Sequence, residues 1–225
     1  QHHALHRIDP CLRAVRAATA RVRRSRGWRE RQRKATDVAE PMSLEEQLAP
    51  PILGAIAQAD PQKLGLLATM KPVACDQAWR RELDHWTKVI DEDELAPQPI
   101  IRAAIRFLKR NPPPPPVRLH VVHGDYRTGN FLYDKEGNVR GILDWELAHL
   151  GDPLEDLAWS LNRVWCWARD GRVGGLTSKE NAIRIWEAAS GLRADPEALR
   201  WWELFSSVKG LAIWVSSARE YQTGK

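Results

Sequence analysis

The sequence predicts an α+β fold, a mostly helical body assembled around one short β-hairpin. Three observations carry this. The stretch Val121 to Glu146 alternates short apolar runs with polar, glycine-bearing turns, as a strand followed by a hairpin requires. Elsewhere apolar residues recur at helical spacing, as in Trp79, Leu83, Trp86 and Ile90. The 225 residues are 43% hydrophobic and include eleven tryptophans, enough to bury one sizeable core in a single large lobe.

The chain opens at Gln1 rather than at a methionine and reads as a fragment or a processed product. Residues 1–40 form a basic, partly helical segment, and residues 41–225 form the lobe. Eleven Lys and Arg against Asp9 and Glu30 give the first 36 residues a net charge of +9. The whole chain carries +5, so the remainder carries −4 and the basic pI belongs to this arm. Its plain reading is a solvated helical face. Trp28 is its one aromatic residue and it has no zinc-ligand spacing, so specific nucleic-acid recognition is not expected. A targeting peptide would be equally Arg-rich, but needs an initiator end. Cys11, Cys75 and Cys166 are isolated thiols with no C-x-x-C spacing, which fits a reducing cytoplasm. No apolar run reaches the roughly 20 residues that span a bilayer, so no membrane association is expected.

In the lobe, Ser43 and Glu46 have capping-box spacing for a short helix. Ile52 to Ala59 predicts one or two further apolar turns. The Trp79–Ile90 pattern predicts a long amphipathic helix to about Leu95, with Asp91 to Glu94 as its solvated end. Pro97 and Pro99 break the chain, and Ile101, Ala104, Ile105 and Leu108 mark the next helix. Pro112 to Pro116 suits a rigid connector better than an SH3-type ligand. A buried strand follows at Leu119 to Val122, then a polar loop at His123 to Asn130. Phe131–Tyr133 and Val139–Leu143, joined through Gly137 and Asn138, predict the hairpin. Pairing Asp134 near Arg140 puts Asn130 opposite Asp144 at the open end. In Gly-Asp-Pro-Leu-Glu, Asp152 is an N-cap, Pro153 the first helical residue, and Glu155 completes a capping box. Leu154, Leu157, Leu161, Val164 and Trp165 are the stripe that helix buries. Trp186 and a long helix over 196–221, with Trp201, Leu204, Val208, Leu211 and Val215 inward, complete the lobe. Gly171, Gly174 and Gly175 form a loop without the lysine of a phosphate cradle.

The hairpin carries the chemistry. Asn130 and Asp144 are two oxygen ligands at its open end, and Asp125 stands on the loop feeding it. Such a set suits Mg²⁺ and phosphoryl transfer. G-x-S-x-G and H-E-x-x-H are absent, and His149 lacks the further histidines of a metal-dependent hydrolase.

H-G-D-Y-R-T-G-N, I-L-D-W-E and H-L-G-D-P-L-E-D-L-A-W occur in that order and resemble the catalytic core of the aminoglycoside phosphotransferase and choline kinase family. Ala4 to Pro10 resembles the segment that opens its helical lobe. The resemblance implies a protein-kinase-like fold, with Asp125 as catalytic base and Asn130 and Asp144 holding Mg²⁺ against ATP. It implies that His123 packs beneath the loop and that Asp156 reaches back to hold the loop backbone. The implied activity is ATP-dependent phosphorylation of a small-molecule hydroxyl. The sequence departs from the family in showing no glycine-rich loop and no strand lysine for the α/β-phosphates. It therefore reads as the large lobe alone, with slight turnover by itself and a separately encoded small lobe or partner domain implied. The alternative is a binding or interaction module derived from such a kinase.

Overall fold

The computed structural model describes residues 50–135, 139–165 and 170–224. The basic arm, the Ser43–Glu46 box, Cys11, Cys166 and the Gly137–Asn138 turn lie outside these residues. The regular elements are α1 (Pro50–Gln58), α2 (Ala78–Asp93), α3 (Pro99–Arg110), β1 (His120–Val122), β2 (Phe131–Tyr133), β3 (Val139–Ile142), β4 (His149–Gly151), α4 (Pro153–Leu161), α5 (Lys179–Ser190) and α6 (Pro196–Thr223).

The lobe is built on α6, against which α2, α3 and α4 all pack. Indoles explain this, because each buries a large apolar area and prefers edge-on or offset partners. Trp79 of α2 meets Trp201 of α6 edge-on at 5.8 Å, and Trp201 stacks on Phe205 at 5.7 Å. The buried face of α6 is Trp201, Trp202, Phe205, Val208 and Ala212. The predicted stripe is therefore corrected: Leu211 is 41% exposed, because the aromatic face rotates the helix toward Trp202 and Phe205. Along α1, Gly54 permits close packing on α5. A Cβ there would fall 2.6 Å from the Cβ of Ala189.

The described strands form two antiparallel pairs, buried β1 with β4 and, nearer the surface, β2 with β3. Strand β4 is hidden in the sequence by the helix-start signal that follows it; it pairs Val121 with Leu150 and Val122 with His149. In the hairpin, Phe131 pairs with Ile142, and Leu143 N–H donates to Asn130 C=O at 2.8 Å. Asn130 thus faces Leu143, and Asp144 lies one residue further on. The expected register is off by one at this open end and by two at Tyr133, which pairs with Val139, the difference being the one-residue shift between Leu132 and Tyr133. The Asp134–Arg140 ion pair forms nonetheless. Asp144 lies beyond β3 with φ +64°, so strand alternation does not govern its direction.

Helix α4 begins with Pro153 at its first position and Asp152 as cap, whose Oδ1 accepts Leu154 N–H at 2.9 Å. Glu155 does not close a capping box. It turns into the core, where it meets Lys209 and His149. The helix ends at Leu161, and Val164 and Trp165 belong to a separate 3-10 turn.

Asp152 is buried and also accepts Trp202 Nε1–H at 3.1 Å. Burial pushes its carboxyl up to about 6, against the two donors that favour the charge. The folded chain therefore binds this proton more tightly than the unfolded chain. Its contribution is complete below about pH 4 and is lost as pH rises through 6, a change of about 3 kcal/mol at most. Asp152→Asn, which keeps a capping oxygen, should flatten urea-unfolding stability across that window. An unchanged pH slope would overturn the assignment. No described helix is long and apolar enough to cross a membrane.

Candidate active site

The site is the loop 123–130 between β1 and β2, held from below by α4 and α6. Its carbonyls and amides have no sheet to bond to, so buried side chains supply the partners. Asp156, fully buried on α4, accepts His123 N–H at 2.6 Å and Gly124 N–H at 2.9 Å. Burial raises its carboxyl above the usual range, in competition with His123 and these donors.

His123 is likewise buried. Its Nδ1 accepts Asp125 N–H at 3.1 Å, so the proton is on Nε2, which donates to Leu143 C=O at 2.8 Å. Burial pushes its pKa down, which favours this neutral form. The ring packs on Trp145 at 4.4 Å and Tyr126 at 5.9 Å. One imidazole thereby ties the loop of Asp125 to the backbone just before Asp144.

Asp125 is partly buried, with its side chain 15% exposed. Oδ1 accepts Trp159 Nε1–H at 2.8 Å, and Oδ2 accepts Asn130 Nδ2–H at 2.7 Å. Arg127 Nε lies 3.2 and 3.1 Å from the two oxygens. Its guanidinium folds over Gly129, where a Cβ would fall 2.3 Å from an Arg127 nitrogen, and lies 5.2 Å from the Trp165 ring centroid. Asn130 is buried, and its Nδ2 also donates to Asp125 C=O at 2.8 Å. Both amide hydrogens are thus committed to Asp125, which leaves Oδ1 for a ligand. Asp144 is exposed, and its charge acts on buried His123 alongside those of Asp125 and Asp156.

Gly124 has φ +87°, and a Cβ there would strike Leu147 C=O at 2.6 Å. The segment after Asp144 therefore closes directly onto the loop. Two further residues enter from positions the sequence does not mark. Trp159 lies on an ordinary apolar helix, yet its indole N–H donates to the Asp125 carboxylate. Lys209 reads as a surface lysine of α6, yet it is buried and donates to Gly124 C=O at 2.5 Å and Glu155 Oε1 at 3.0 Å. Behind it, Glu82, His149 and Glu155 bring donor atoms within 4.8 Å of one another. Arg81 pairs with Glu82 and Lys209 with Glu155. Burial opposes charge on His149, yet Glu155 and Glu82 raise its pKa above the usual value. This cluster is a compensated charge network rather than a cation site.

Residues 46–202 match the sequence profile of the phosphotransferase enzyme family, APH. The chain belongs to that family. Its fold is that of a putative aminoglycoside phosphotransferase from Ralstonia eutropha JMP134, with a TM-score of 0.70 at 22% identity over 82% of this chain and 58% of the other. Macrolide 2'-phosphotransferase type I gives 0.57 at 21% identity, over 80% and 57%. Aminoglycoside phosphotransferase APH(4)-Ia, solved with ADP and hygromycin B, gives 0.51 at 20% identity, over 78% and 59%. These likenesses establish the kinase-like fold of the lobe. Among curated proteins, Acyl-CoA dehydrogenase family member 11 of Homo sapiens is 34% identical over 125 residues, 51% of this chain and 16% of that protein. Acyl-CoA dehydrogenase family member 10 of Mus musculus is 37% identical over 81 residues, 36% of this chain and 8% of that protein. The chain thus spans less than a fifth of the curated relatives it matches.

Proposed function

We propose that residues 41–225 are the large lobe of an ATP-dependent phosphotransferase that phosphorylates a small-molecule hydroxyl, with 1–40 as a basic appendage. The observation that carries this is the Asp125–Asn130 pair. A base carboxylate and a metal-binding amide are locked together by one hydrogen bond of 2.7 Å from the amide nitrogen, which leaves the amide oxygen for the ion. Asn130 Oδ1 and Asp144 would hold Mg²⁺, which when bound neutralises charge on the nucleotide phosphates. Amide and carboxylate oxygens are the ligand types that this hard cation takes.

The chain's own residues orient and deprotonate the acceptor. Trp159 and Asn130 fix the Asp125 carboxylate, which accepts the proton of the attacking hydroxyl. Four donor contacts fill that carboxylate's lone-pair sites, two of them from Arg127. Arg127 therefore yields a site as the hydroxyl arrives. His123, neutral and buried, keeps the base loop and the Asp144 segment in fixed relation. Trp165 and Val173 line an apolar pocket beside the loop with Tyr126 and Phe131. The names of the curated relatives make a hydroxyl on an acyl-CoA chain one acceptor to try, beside aminoglycoside and macrolide hydroxyls. A small lobe over the phosphates, in the same polypeptide or another, is the partner this reading requires. The compartment proposed for it is the cytoplasm, the reading that the isolated thiols support.

The test is phosphoryl transfer from Mg·ATP to such a panel by the full-length protein, with Asp144→Asn and Asn130→Ala alongside. Each variant should weaken Mg²⁺-dependent nucleotide binding by at least about 10–100-fold, the loss that damage to a mere supporting partner of a metal ligand causes. Binding unchanged in both would overturn the metal assignment. Absence of transfer by a protein that binds Mg·ATP would favour the binding-module alternative.

A further inference from the structure

We infer that Lys209 is a positioning residue for Asp125, acting on it through two separate routes, and this rests on the phosphotransfer reading. Lys209 is 1% exposed, on the face of α6 that meets the loop. A lysine so buried is costly unless paired and hydrogen-bonded. The compensation it receives is specific. Nζ donates to Gly124 C=O at 2.5 Å, the peptide that leads into Asp125, and to Glu155 Oε1 at 3.0 Å.

The second route is through an indole. Nζ lies 5.1 Å from the Trp159 ring centroid and 5.5 Å from that of Trp86. A cation at that range is attracted by the ring's electron density and makes the indole N–H a stronger donor. The Trp159 N–H donates to Asp125 Oδ1 at 2.8 Å. One ammonium thus fixes the backbone before the base and polarises the group that orients its carboxylate.

The rest of the cluster keeps that ammonium in place. Glu155 Oε2 meets His149 Nε2 at 3.1 Å, and Glu82 Oε1 lies 3.5 Å from the same nitrogen. Arg81 closes the line by binding Glu82 and donating to Leu150 C=O at 2.7 Å. A merely structural ion pair would not need the carbonyl of the Asp125 loop as its second acceptor.

The test is Lys209→Met in the full-length protein. The substitution keeps the aliphatic packing between the two indoles, and Glu155 retains His149 as counter-charge. Should that variant not fold, Lys209→Met with Glu155→Gln removes both buried charges together. Circular dichroism and melting establish folding. Two readouts then follow. In ¹H–¹⁵N spectra, the Trp159 indole signal, assigned with Trp159→Phe, and the Asp125 amide should both move, while the Trp214 indole does not. In transfer assays, kcat should fall by about 10²-fold, the cost of a small misplacement of a reacting group, with KM and Mg·ATP affinity within about twofold. Unmoved Trp159 and Asp125 signals would overturn the inference whether or not the protein is active. So would a wild-type kcat in a folded variant. A wild-type protein that transfers phosphate to nothing tested counts against the phosphotransfer reading, and the spectra alone then decide whether Lys209 sets the loop.

Discussion

Asp125→Asn should reduce kcat by about 10²–10⁴-fold, the usual contribution of a positioned general base, while Mg·ATP affinity changes little. The asymmetry follows from the contacts. The remaining Oδ1 of the asparagine still accepts Trp159 N–H, so the loop keeps its indole support. Asn130 loses one acceptor but retains Asp125 C=O, so its amide keeps its orientation. The electrostatic hold of Arg127 weakens, because a carboxylate has been replaced by an amide. What disappears is the group proposed to take the hydroxyl proton. Steady-state transfer and nucleotide titration, run on the same preparation, separate these effects. A kcat close to wild type would remove Asp125 from the role of base. Nucleotide binding lost in parallel would show that the substitution had disordered the Asn130 side.

The hairpin and the loop before it were legible in the sequence because their signals are local. Polar and glycine-bearing residues follow an apolar run, and Asp125, Asn130 and Asp144 fall within one 26-residue stretch from Val121 to Glu146. The belonging to a phosphotransferase family, and the kinase-like helical lobe, were legible from that same stretch. Register was not. Asp134 and Arg140 do form an ion pair, but Tyr133 pairs with Val139, so the two are not directly opposite. The irregularity between Leu132 and Tyr133 is a matter of backbone geometry that residue types do not encode. Glu155 shows a second kind of limit. At three residues past an N-cap it has capping-box spacing, and that local reading loses to a buried lysine 54 residues away. Lys209 and Trp159 failed for the same reason. Each sits in an ordinary helical pattern, and the Gly124 carbonyl and Asp125 carboxylate that they reach are distant in sequence. Local chemistry can be read from spacing, whereas support from another element needs the packing.

Asp156→Ala should be the most destabilising single change at the site, by about 3–6 kcal/mol before compensation. Two buried N–H groups, of His123 and Gly124, lose their acceptor together, and hydrogen bonds to a charged group contribute about 1.5–3 kcal/mol each. Part of this is offset near neutral pH. Burial raises the Asp156 pKa, so ionisation of the native carboxylate itself costs stability that alanine no longer bears. The net loss should therefore lie toward the lower end of that range, still a large share of the roughly 5–15 kcal/mol that holds a typical domain together. Asp156→Asn should fall between, since its oxygen serves one N–H while its NH₂ confronts the other. Chemical denaturation measures the loss, and hydrogen exchange locates it. The His123 and Gly124 amides should exchange much faster in both variants, with α6 amides following only global stability. Protection at those two amides that survives in Asp156→Ala would mean that another group, or water, satisfies them. Asp156 would then be an ordinary buried acid of α4, and the loop's geometry would have to come from Lys209 and His123 alone.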